Sequence, residues 1–479
     1  MTRTIKLRRG LFAGTAALAL VLAACGSDNS GSSSSATTAA GAAATTAGAA
    51  TTAAGAAATT AAGGAATTAA GGTSTGVDIK GKTVKILGTE VAGEADGITG
   101  AFKPWEQQTG AKLNYTGTRD AETQVRTAAQ AGGSALPDIF FAPQPGLIKD
   151  LAKSITPVPN DLVTKMKADL DPFLVTLGTV NNQVLGVPVK ADLKSLVWYS
   201  PKVFKQHNYQ IPQTWDEMVK LGDQMKKDGI TPWCVGIESG DATGWPMTDW
   251  MEDVMLRLNG PDVYDKWVNH QIPFNDPQVK AAAQMVADIW FPDGNVVGGR
   301  QAIASTAFAN AGLPILDGGC GMHRQGNFYG TNFTQSNANT TFGQDGDVNV
   351  FYLPTINDKF GKVTLTAGLY AVAFNNKPET MAALAYLESA DYANARAKAQ
   401  TSGFLSPNKN IDINSYGNPL DKQLATILKA ASPVRFDGSD AMPAAVGAGT
   451  FWKEGTNWVN GTESLDQFLN NVEASWPKS

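Results

Sequence analysis

An alternation of strand-like and helical stretches over residues 81–153 limits the fold of this 479-residue chain more than any other feature. Its first part is an apolar run that ends in glycine, which predicts a strand and a loop. Residues 98–118 predict a helix that stops at Gly110 and then a second strand. Residues 120–133 predict another helix, and a short strand at 138–142 leads into a third helix. This strand–helix order is typical of a parallel or mostly parallel α/β sheet.

The first 24 residues have the composition of an export signal rather than of a folded domain. Basic residues precede an apolar stretch, Leu11 to Ala24, that is too short to cross a bilayer as a helix. The stretch ends in Leu-Ala-Ala-Cys, which resembles a bacterial lipobox. We therefore predict a lipoprotein signal peptide at residues 1–24 and a lipid on Cys25, which would anchor the protein to the cell membrane on its extracytoplasmic side. An ordinary secretory signal with an incidental cysteine is the alternative.

Residues 25–76 consist of that cysteine and a stretch rich in Ala, Thr, Gly and Ser. Such a segment cannot bury enough apolar surface to form a core, so we predict a flexible tether. Residues 77–479 are then the folded part, which is long enough for two lobes. The chain has a net charge of −5, and its folded part has neither a basic tract nor an apolar run long enough to cross a membrane. This composition argues against a nucleic-acid partner.

The folded part contains two cysteines, Cys234 and Cys320. In an exported protein such a pair most simply forms one disulfide, and two free buried thiols are the alternative. No histidine has a metal-ligand spacing to a cysteine, and the sequence has no phosphate-binding glycine loop and no nucleophile elbow. We therefore predict that the protein binds no metal and no cofactor.

Two motifs in the middle of the chain are the most informative. The stretch "LKSLVWYSPKVF" (193–204) combines a strand with a helical turn, and "IPQTWDEM" (211–218) opens a helix that Thr214 and Glu217 can cap. Together with "GGSALPDIFFAP" (132–143), they resemble the extracellular solute-binding proteins of ABC importers, in the sugar-binding group of the maltose-binding-protein type. The later stretches "TGWPMTDWMEDVMLRLNG", "GGCGMHRQGNF" and "RFDGSDAMPAAVGAGTFWKEG" resemble the α-glucoside-binding branch of that family.

This resemblance spans residues 80–479 and implies a two-lobed α/β fold, of the type II periplasmic-binding-protein kind. The ligand cleft of that fold lies between lobes that crossing segments join. We expect crossings near residues 191–193, 350–355 and 405–410. The implied lobes are residues 77–191 plus 355–407 and residues 192–354 plus 408–479.

A sugar has hydroxyl groups around its rim and apolar C–H faces, so aromatic rings combined with carboxylate, amide and guanidinium groups suit it. Asp241 and Trp245 are predicted to lie in one binding loop. A helix N-cap for Asp241 and a core position for Trp245 are the alternatives. His323, Arg324 and Gln325 are predicted to contact the ligand from a second loop, and a structural role for the histidine is the alternative.

An apolar strand is predicted at residues 313–316, before that second loop. The family positions imply further ligand contacts from the loop after the first strand, from the first crossing and from the C-terminal region. For Glu90 and Glu94 a simple surface charge is the alternative, and for Phe141 a core position. The other implied ligand contacts are Gln144, Lys190, Asp192, Tyr370, Asp437, Asp440 and Trp452.

These features predict a monomer that captures a neutral oligosaccharide and delivers it to the permease subunits of an ABC importer. The resemblance to the α-glucoside-binding branch implies that the oligosaccharide is an α-glucoside. The protein is predicted to bind this ligand without making or breaking a bond. A secreted glycoside hydrolase is one alternative, because a carboxyl pair such as Asp241 and Asp437 could flank a glycosidic bond. A binding protein for an amino acid or a polyol is another, since Arg324 could face a carboxylate. Besides the sugar and the permease, the lipid bilayer is a predicted partner, through Cys25.

Overall fold

The computed structural model describes residues 78–478, so the predicted signal peptide, Cys25 and nearly all of the tether lie outside the described residues. The strands are β1 (Thr83–Gly88), β2 (Lys112–Gly117), β3 (Ile139–Ala142), β4 (Thr179–Val180), β5 (Gln183–Val184), β6 (Val187–Leu193), β7 (Leu196–Tyr199), β8 (Met322–Arg324), β9 (Asn349–Tyr352), β10 (Thr364–Ala373) and β11 (Val434–Phe436).

Most of the remaining described residues are helical. The α-helices are α1 (Gly93–Thr109), α2 (Ala121–Gln130), α3 (Pro145–Leu151), α4 (Asn160–Asp169), α5 (Pro172–Leu177), α6 (Pro201–His207), α7 (Trp215–Lys227), α8 (Trp245–Asn259), α9 (Pro261–Val268), α10 (Pro277–Trp290), α11 (Arg300–Ile303), α12 (Phe308–Ala311), α13 (Gly330–Ser336), α14 (Pro378–Glu388), α15 (Ala390–Ala399), α16 (Pro419–Ala430), α17 (Gly438–Ala441), α18 (Trp452–Asn460) and α19 (Leu465–Ala474). Short 3₁₀ helices lie at Leu313–Asp317, Asn327–Tyr329, Asp358–Phe360 and Ile413–Ser415, and a π-helical segment lies at Val446–Phe451.

The larger sheet has six strands, in the order β11-β10-β3-β1-β2, with β6 also paired to β10. β1 is parallel to β2 and to β3, as the alternation of strands and helices predicts. β10 is parallel to β11 but antiparallel to β3 and β6, so the complete sheet is mixed. Gly88, the last residue of β1, pairs with Phe141 near the end of β3. The loops that follow these two strands therefore begin at the same edge of the sheet.

The smaller sheet has three antiparallel strands in the order β8-β7-β9. β6 ends in the larger sheet and β7 begins in the smaller one, so the chain passes from one sheet to the other at residues 194–195. It returns between β9 and β10. The backbone N–H of Ala191 also donates to the carbonyl oxygen of Leu405, at 3.0 Å. β11 lies in the segment predicted to belong to the second lobe, but it pairs with β10 of the larger sheet. The exact division into lobes stays a prediction.

Separate apolar clusters stabilise the surroundings of the two sheets. Ile86 of β1 and Phe102 of α1 belong to a buried cluster around the larger sheet. Val197 of β7 and Trp250 of α8 belong to a second cluster around the smaller sheet. Cys234 and Cys320 are buried and joined by a disulfide, with their Cα atoms 5.8 Å apart. No helix within residues 78–478 is long and apolar enough to span a membrane.

Local sequence signals explain several boundaries. α1 begins at Gly93, earlier than predicted, and ends at Gly110, which has a left-handed φ of 72°. The predicted capping box of Thr214 and Glu217 is present at the start of α7. The strand predicted at residues 313–316 is wrong, because this stretch forms a 3₁₀ helix. Pro314 sets a helical φ there and lacks the N–H that a strand ladder needs.

Candidate functional site

A cleft open to solvent is lined by β6 and β10 of the larger sheet and by the first residues of α8, α12 and α18, and it encloses about 800 Å³ when its open mouth is included. Its lining combines charged groups with aromatic rings and with the backbone of β10. The lining residues are Thr89, Glu90, Glu94, Arg119, Glu122, Pro143, Gln144, Lys190, Asp192, Lys194, Ser239, Ala242, Trp245, Phe308, Phe328, Ala367, Gly368, Leu369, Asp437, Ser439, Asp440 and Trp452.

Three charged residues from β6 and its end line this cleft. Successive side chains of a strand point to opposite faces, so Lys190, Asp192 and Lys194 share one face. β10 pairs with β6 along this stretch, and Gly368 lies opposite Ala191. A Cβ atom on Gly368 would overlap the carbonyl oxygen of Lys190, so a residue without a side chain is needed for the two strands to pair this closely.

Lys190 is the centre of a buried charge cluster. Its Nζ lies 3.1 Å from Oε1 of Glu90, 3.0 Å from Oε1 of Glu94 and 3.6 Å from Oδ1 of Asp192. Arg396 donates to the same oxygen, Oε1 of Glu90, at 3.1 Å. Burial alone would raise the pKa of Glu90, but the charges of Arg396 and Lys190 outweigh it and lower that pKa. Glu90 is therefore an ionised carboxylate at neutral pH.

Lys194 is the centre of a second charge cluster. Its Nζ lies 2.7 Å from Oδ1 of Asp249 in α8 and 2.5 Å from Oδ2 of Asp437, which follows β11. Burial opposes ionisation of Asp437, yet the charge and hydrogen bond of Lys194 lower its pKa to about 2. Arg324 extends the cluster, because its guanidinium contacts Asp249 at 3.0 Å and Asp253 at 2.6 Å. The cluster thus ties α8 to the end of β11.

Aromatic rings form the other part of the lining. Trp245 is the first residue of α8 and lies edge-on to Phe308, with ring centres 5.0 Å apart. The Nζ of Lys194 lies 5.3 Å from the centre of the Trp245 ring, and that of Lys190 lies 5.4 Å from the Phe328 ring. Trp452 begins α18 directly after the π-helical segment, a type of distortion that is frequent at functional sites. The cleft therefore offers flat apolar surfaces beside carboxylates.

Four buried polar atoms of the lining have no hydrogen-bond partner within residues 78–478. They are Oε2 of Glu90, Oε1 of Gln144, Oδ1 of Asp192 and Nε1 of Trp452. Buried polar groups are nearly always paired, because an unpaired group loses its hydration without compensation. These atoms are the candidates for contact with a bound molecule.

Glu122 and Asp440 add two further carboxyl groups. Burial raises the pKa of Glu122 to about 7, and Arg126 partly opposes this. Burial and the charge of Asp437 raise the pKa of Asp440 well above its ordinary value. An adjoining pocket of about 330 Å³ shares Arg119, Glu122, Ala242 and Trp452 with the cleft. Within the described residues, no three His, Cys, Asp or Glu side chains are grouped to hold a metal ion.

The structure brings together nine of the fifteen predicted ligand residues. Those that line the cleft are Glu90, Glu94, Gln144, Lys190, Asp192, Trp245, Asp437, Asp440 and Trp452. Asp241 lines the adjoining pocket instead and accepts a hydrogen bond from Thr123, at 2.9 Å. It does not cap α8, whose N-cap is Gly244. Trp245 belongs to that helix rather than to a loop.

Five predicted residues do not line the cleft. Phe141 is fully buried in the core of the larger sheet. The hydroxyl of Tyr370 donates to the carbonyl oxygen of Leu174, at 3.1 Å. Nδ1 of His323 contacts the carbonyl oxygen of Cys234, at 2.9 Å, while Arg324 lies in the second charge cluster. Gln325 is buried and accepts from the neighbouring backbone N–H. The Tyr370 hydroxyl, Nδ1 of His323, the Arg324 guanidinium and Oε1 of Gln325 thus contact the protein itself, while Nε2 of His323 has no hydrogen-bond partner within the described residues.

Sequence reasoning missed several lining residues. Lys194 has a clear signal, since it follows Lys190 and Asp192 at the two-residue period of a strand. Arg119 and Glu122 come after the end of β2, just as Glu90 comes after the end of β1. Because β1 and β2 are parallel, the segments that follow them begin at the same edge of the sheet. Nothing in the local sequence marks Phe308 and Phe328 as cleft residues, because isolated aromatic residues are also common in protein cores.

The comparisons with known sequences agree with this geometry. The family profile described as bacterial extracellular solute-binding protein matches residues 90–394. The osmoprotective compounds-binding protein GgtB of Synechocystis sp. is 38% identical over 403 residues, which cover 83% of this chain and 93% of that protein. The alpha-glucosides-binding periplasmic protein AglE of Rhizobium meliloti is 37% identical over 419 residues, covering 84% of this chain and 88% of that protein.

Solved structures show the same fold. The bacterial solute receptor AcbH aligns with a TM-score of 0.69 and 16% identity, over 82% of this chain and 98% of that one. Maltose-bound MalE3 of T. maritima aligns with a TM-score of 0.63 and 15% identity, again over 82% and 98%. These likenesses confirm the predicted two-lobed type II periplasmic-binding fold. The chain belongs to the bacterial extracellular solute-binding protein family.

Proposed function

We propose that this protein captures a neutral oligosaccharide in the cleft and delivers it to the permease of an ABC importer. The observation that carries the proposal is the combination of tryptophan rings and buried carboxylates around one cleft: Trp245 and Trp452 with Glu90 and Asp192. Aromatic rings match the apolar faces of a sugar, and carboxylates match its hydroxyl groups. Closure of the two lobes over the sugar would give the form that the permease recognises.

An α-glucoside is the proposed ligand within this class. The name of AglE describes α-glucoside binding, and that protein matches this chain over most of its length. GgtB, whose name describes osmoprotective compounds, matches over a similar length. Small osmoprotective solutes are therefore included with the glucosides among the ligands to be tested.

A glycoside hydrolase needs one carboxyl group that is free to protonate the leaving oxygen and a second that acts as base or nucleophile. Glu90 and Asp437 are both held as ions by buried lysine or arginine side chains. Asp241 lies outside the cleft lining. These contacts disfavour Glu90, Asp437 and Asp241 as a catalytic pair, and the family and its relatives are binding proteins.

The first experiment is isothermal titration of the purified protein with trehalose, maltose, sucrose, longer maltooligosaccharides, polyols and amino acids. We expect one-to-one binding of a glucoside in the micromolar range, with no cleaved sugar in the same samples. Binding of an amino acid alone, or the appearance of cleaved product, would contradict the proposal.

We also propose that the protein is a monomer held at the membrane by a lipid on Cys25, with residues 25–76 as a tether. The division into lobes of residues 77–191 plus 355–407 and 192–354 plus 408–479 belongs to the same proposal. Cys25→Ser should move the protein from the membrane fraction to the soluble fraction, whereas an unchanged distribution would contradict the anchor. Light scattering of the released protein should give the mass of one chain.

A further inference from the structure

We propose that four residues form a clasp between the two lobes, which stabilises their closed arrangement through contacts that include no ligand atom. Oγ1 of Thr123 donates to Oδ2 of Asp241, at 2.9 Å. The guanidinium carbon of Arg119 lies 5.0 Å from the centre of the Phe308 ring. We call these two contacts the rim clasp. The inference goes beyond the proposed function, because it concerns how the lobes are held together and not which molecule they hold.

One half of the rim clasp belongs to the larger sheet. Arg119 precedes α2, and Thr123 lies in the first turn of that helix. Val125 of α2 is fully buried in an apolar cluster that includes Phe140 of β3. Nη1 of Arg119 also donates to the carbonyl oxygen of Thr89, at 3.0 Å. This half is therefore fixed to the larger sheet by packing and by a hydrogen bond.

The other half of the rim clasp belongs to the smaller sheet. Asp241 lies between Ile237 and Met247, which are both fully buried in the apolar cluster around that sheet. Phe308 begins α12 and packs in a cluster with Trp198 of β7. None of the four clasp residues lies in a segment that passes from one sheet to the other. The connectivity of the chain therefore does not impose these contacts.

The rim clasp extends from the cleft to the protein surface beside it. Arg119 and Phe308 line the cleft, whereas Thr123 and Asp241 are exposed and line only the adjoining pocket. An exposed hydrogen bond and a single cation–π contact are each weak, so the clasp can open to exchange a ligand. Its contribution to the closed population raises the apparent affinity for any ligand that binds the closed form, by the same factor.

Double electron–electron resonance on the ligand-free protein tests the inference. The spin labels are attached through Gln130→Cys, at the end of α2, and Ser305→Cys, between α11 and α12, in the Cys25→Ser chain. Both labelled positions are exposed. We expect a population with a short distance between the labels. Thr123→Val removes the donor of the clasp and Asp241→Ala removes its acceptor, so each should lower this population at least twofold.

Conservative variants separate the clasp from a general disturbance of the fold. Thr123→Ser keeps the hydroxyl and Asp241→Asn keeps an oxygen acceptor, so both should keep the parent distribution of distances. Thr127→Val is the matched control, because Thr127 is an exposed threonine one turn further along α2. Arg119→Met removes the cation–π contact and should also lower the short-distance population. The double variant of Thr123→Val and Asp241→Ala should open no further than either single variant, since both remove the same bond.

A parent protein without a short-distance population would overturn the inference. So would Thr123→Val and Asp241→Ala variants with the parent distribution, or a Thr127→Val variant that opens as much as Thr123→Val. These outcomes need no ligand, so failure of every sugar to bind would contradict the proposed function alone. For the sugar that binds in titration, stopped-flow measurements should show release roughly two- to fivefold faster from both clasp variants. Equal release rates would show that the clasp does not retain the ligand.

Discussion

Gly244 brings the start of α8 directly against the main chain of Trp452. Gly244 has a φ of 115°, and a Cβ atom built on it would lie 2.5 Å from the carbonyl oxygen of Trp452. The next residue is Trp245, so this close approach places the first residues of α8 and α18 beside each other. Both tryptophans line the cleft. One glycine therefore helps to set the position of both rings.

Gly244→Ala should lower both stability and affinity. The added methyl group would meet the Trp452 backbone, and residues with a side chain rarely adopt the φ of Gly244. We therefore expect a loss of roughly 1–3 kcal/mol in the free energy of unfolding. Displacement of the two rings should weaken sugar binding about tenfold. Urea unfolding and calorimetric titration measure the two effects.

Gly229→Ala is the matched control for this change. Gly229 has a φ of 81°, and a Cβ atom there would meet nothing within 4 Å. Gly229→Ala should therefore lower the free energy of unfolding only through its unfavourable φ, and the affinity for the sugar should be unchanged. Equal losses of stability in the two variants, with affinity unchanged in both, would show that the contact between Gly244 and Trp452 does not position the rings.

Trp245→Ala and Trp452→Ala should each weaken sugar binding by roughly 1–3 kcal/mol, because each removes a large ring from the cleft lining. Far-ultraviolet circular dichroism should show that the fold is kept. Trp476→Ala is the control, since Trp476 stacks on His270 with ring centres 4.1 Å apart, outside the cleft. If Trp476→Ala reduces affinity as much as the two cleft variants, stacking on the sugar is not the role of Trp245 and Trp452.

The parallel core of the larger sheet could be predicted because its signals are local. Each strand and helix of residues 83–142 has its own apolar pattern, and Thr214 and Glu217 of the capping box are three residues apart. The partners of β10 could not be predicted in this way. It pairs with β11, β6 and β3, which lie far away in sequence and on both sides of it.

The candidate site could be predicted in part for a similar reason. Lys190 and Asp192 lie on a strand whose alternation predicts a shared face, and the same alternation indicates Lys194. Arg324 is the opposite case. Its polar loop beside glycines suggested a ligand contact, but its partners are Asp249 and Asp253, which lie 75 and 71 residues earlier. A loop sequence does not show whether its charge faces a ligand or a buried ion pair.

Lys194→Met should lower the free energy of unfolding by about 3–5 kcal/mol, because it leaves Asp249 and Asp437 without their shared buried cation. Lys202→Met is the control. Lys202 forms an ion pair of 2.5 Å with Asp347, but its side chain is 72% exposed. Removing such a surface pair should cost no more than about 1 kcal/mol. Chemical denaturation compares the two variants, and similar losses would contradict the structural role of the second charge cluster.

His323 should make the protein less stable in acid. Burial lowers its pKa from 6.5 to about 4, although its hydrogen bond to Cys234 acts in the opposite direction. As the pH falls below 6.5, the unfolded chain binds a proton at this residue while the folded protein does not. Stability that is present above pH 6.5 is therefore lost as the pH falls towards 4, by about 3 kcal/mol in total.

His323→Gln keeps a hydrogen-bond donor for the Cys234 carbonyl oxygen but does not titrate. We expect it to be less stable than the wild type at pH 7, because it loses the ring contact with Tyr329, and to lose less stability between pH 7 and pH 4. His270→Gln changes an exposed histidine that contacts Glu473, so this variant should keep the acid-induced loss of stability that His323 causes in the wild type. Urea unfolding at a series of pH values measures these slopes. If the slope of His323→Gln were the same as that of the wild type, the neutral buried histidine would not be the source of acid sensitivity.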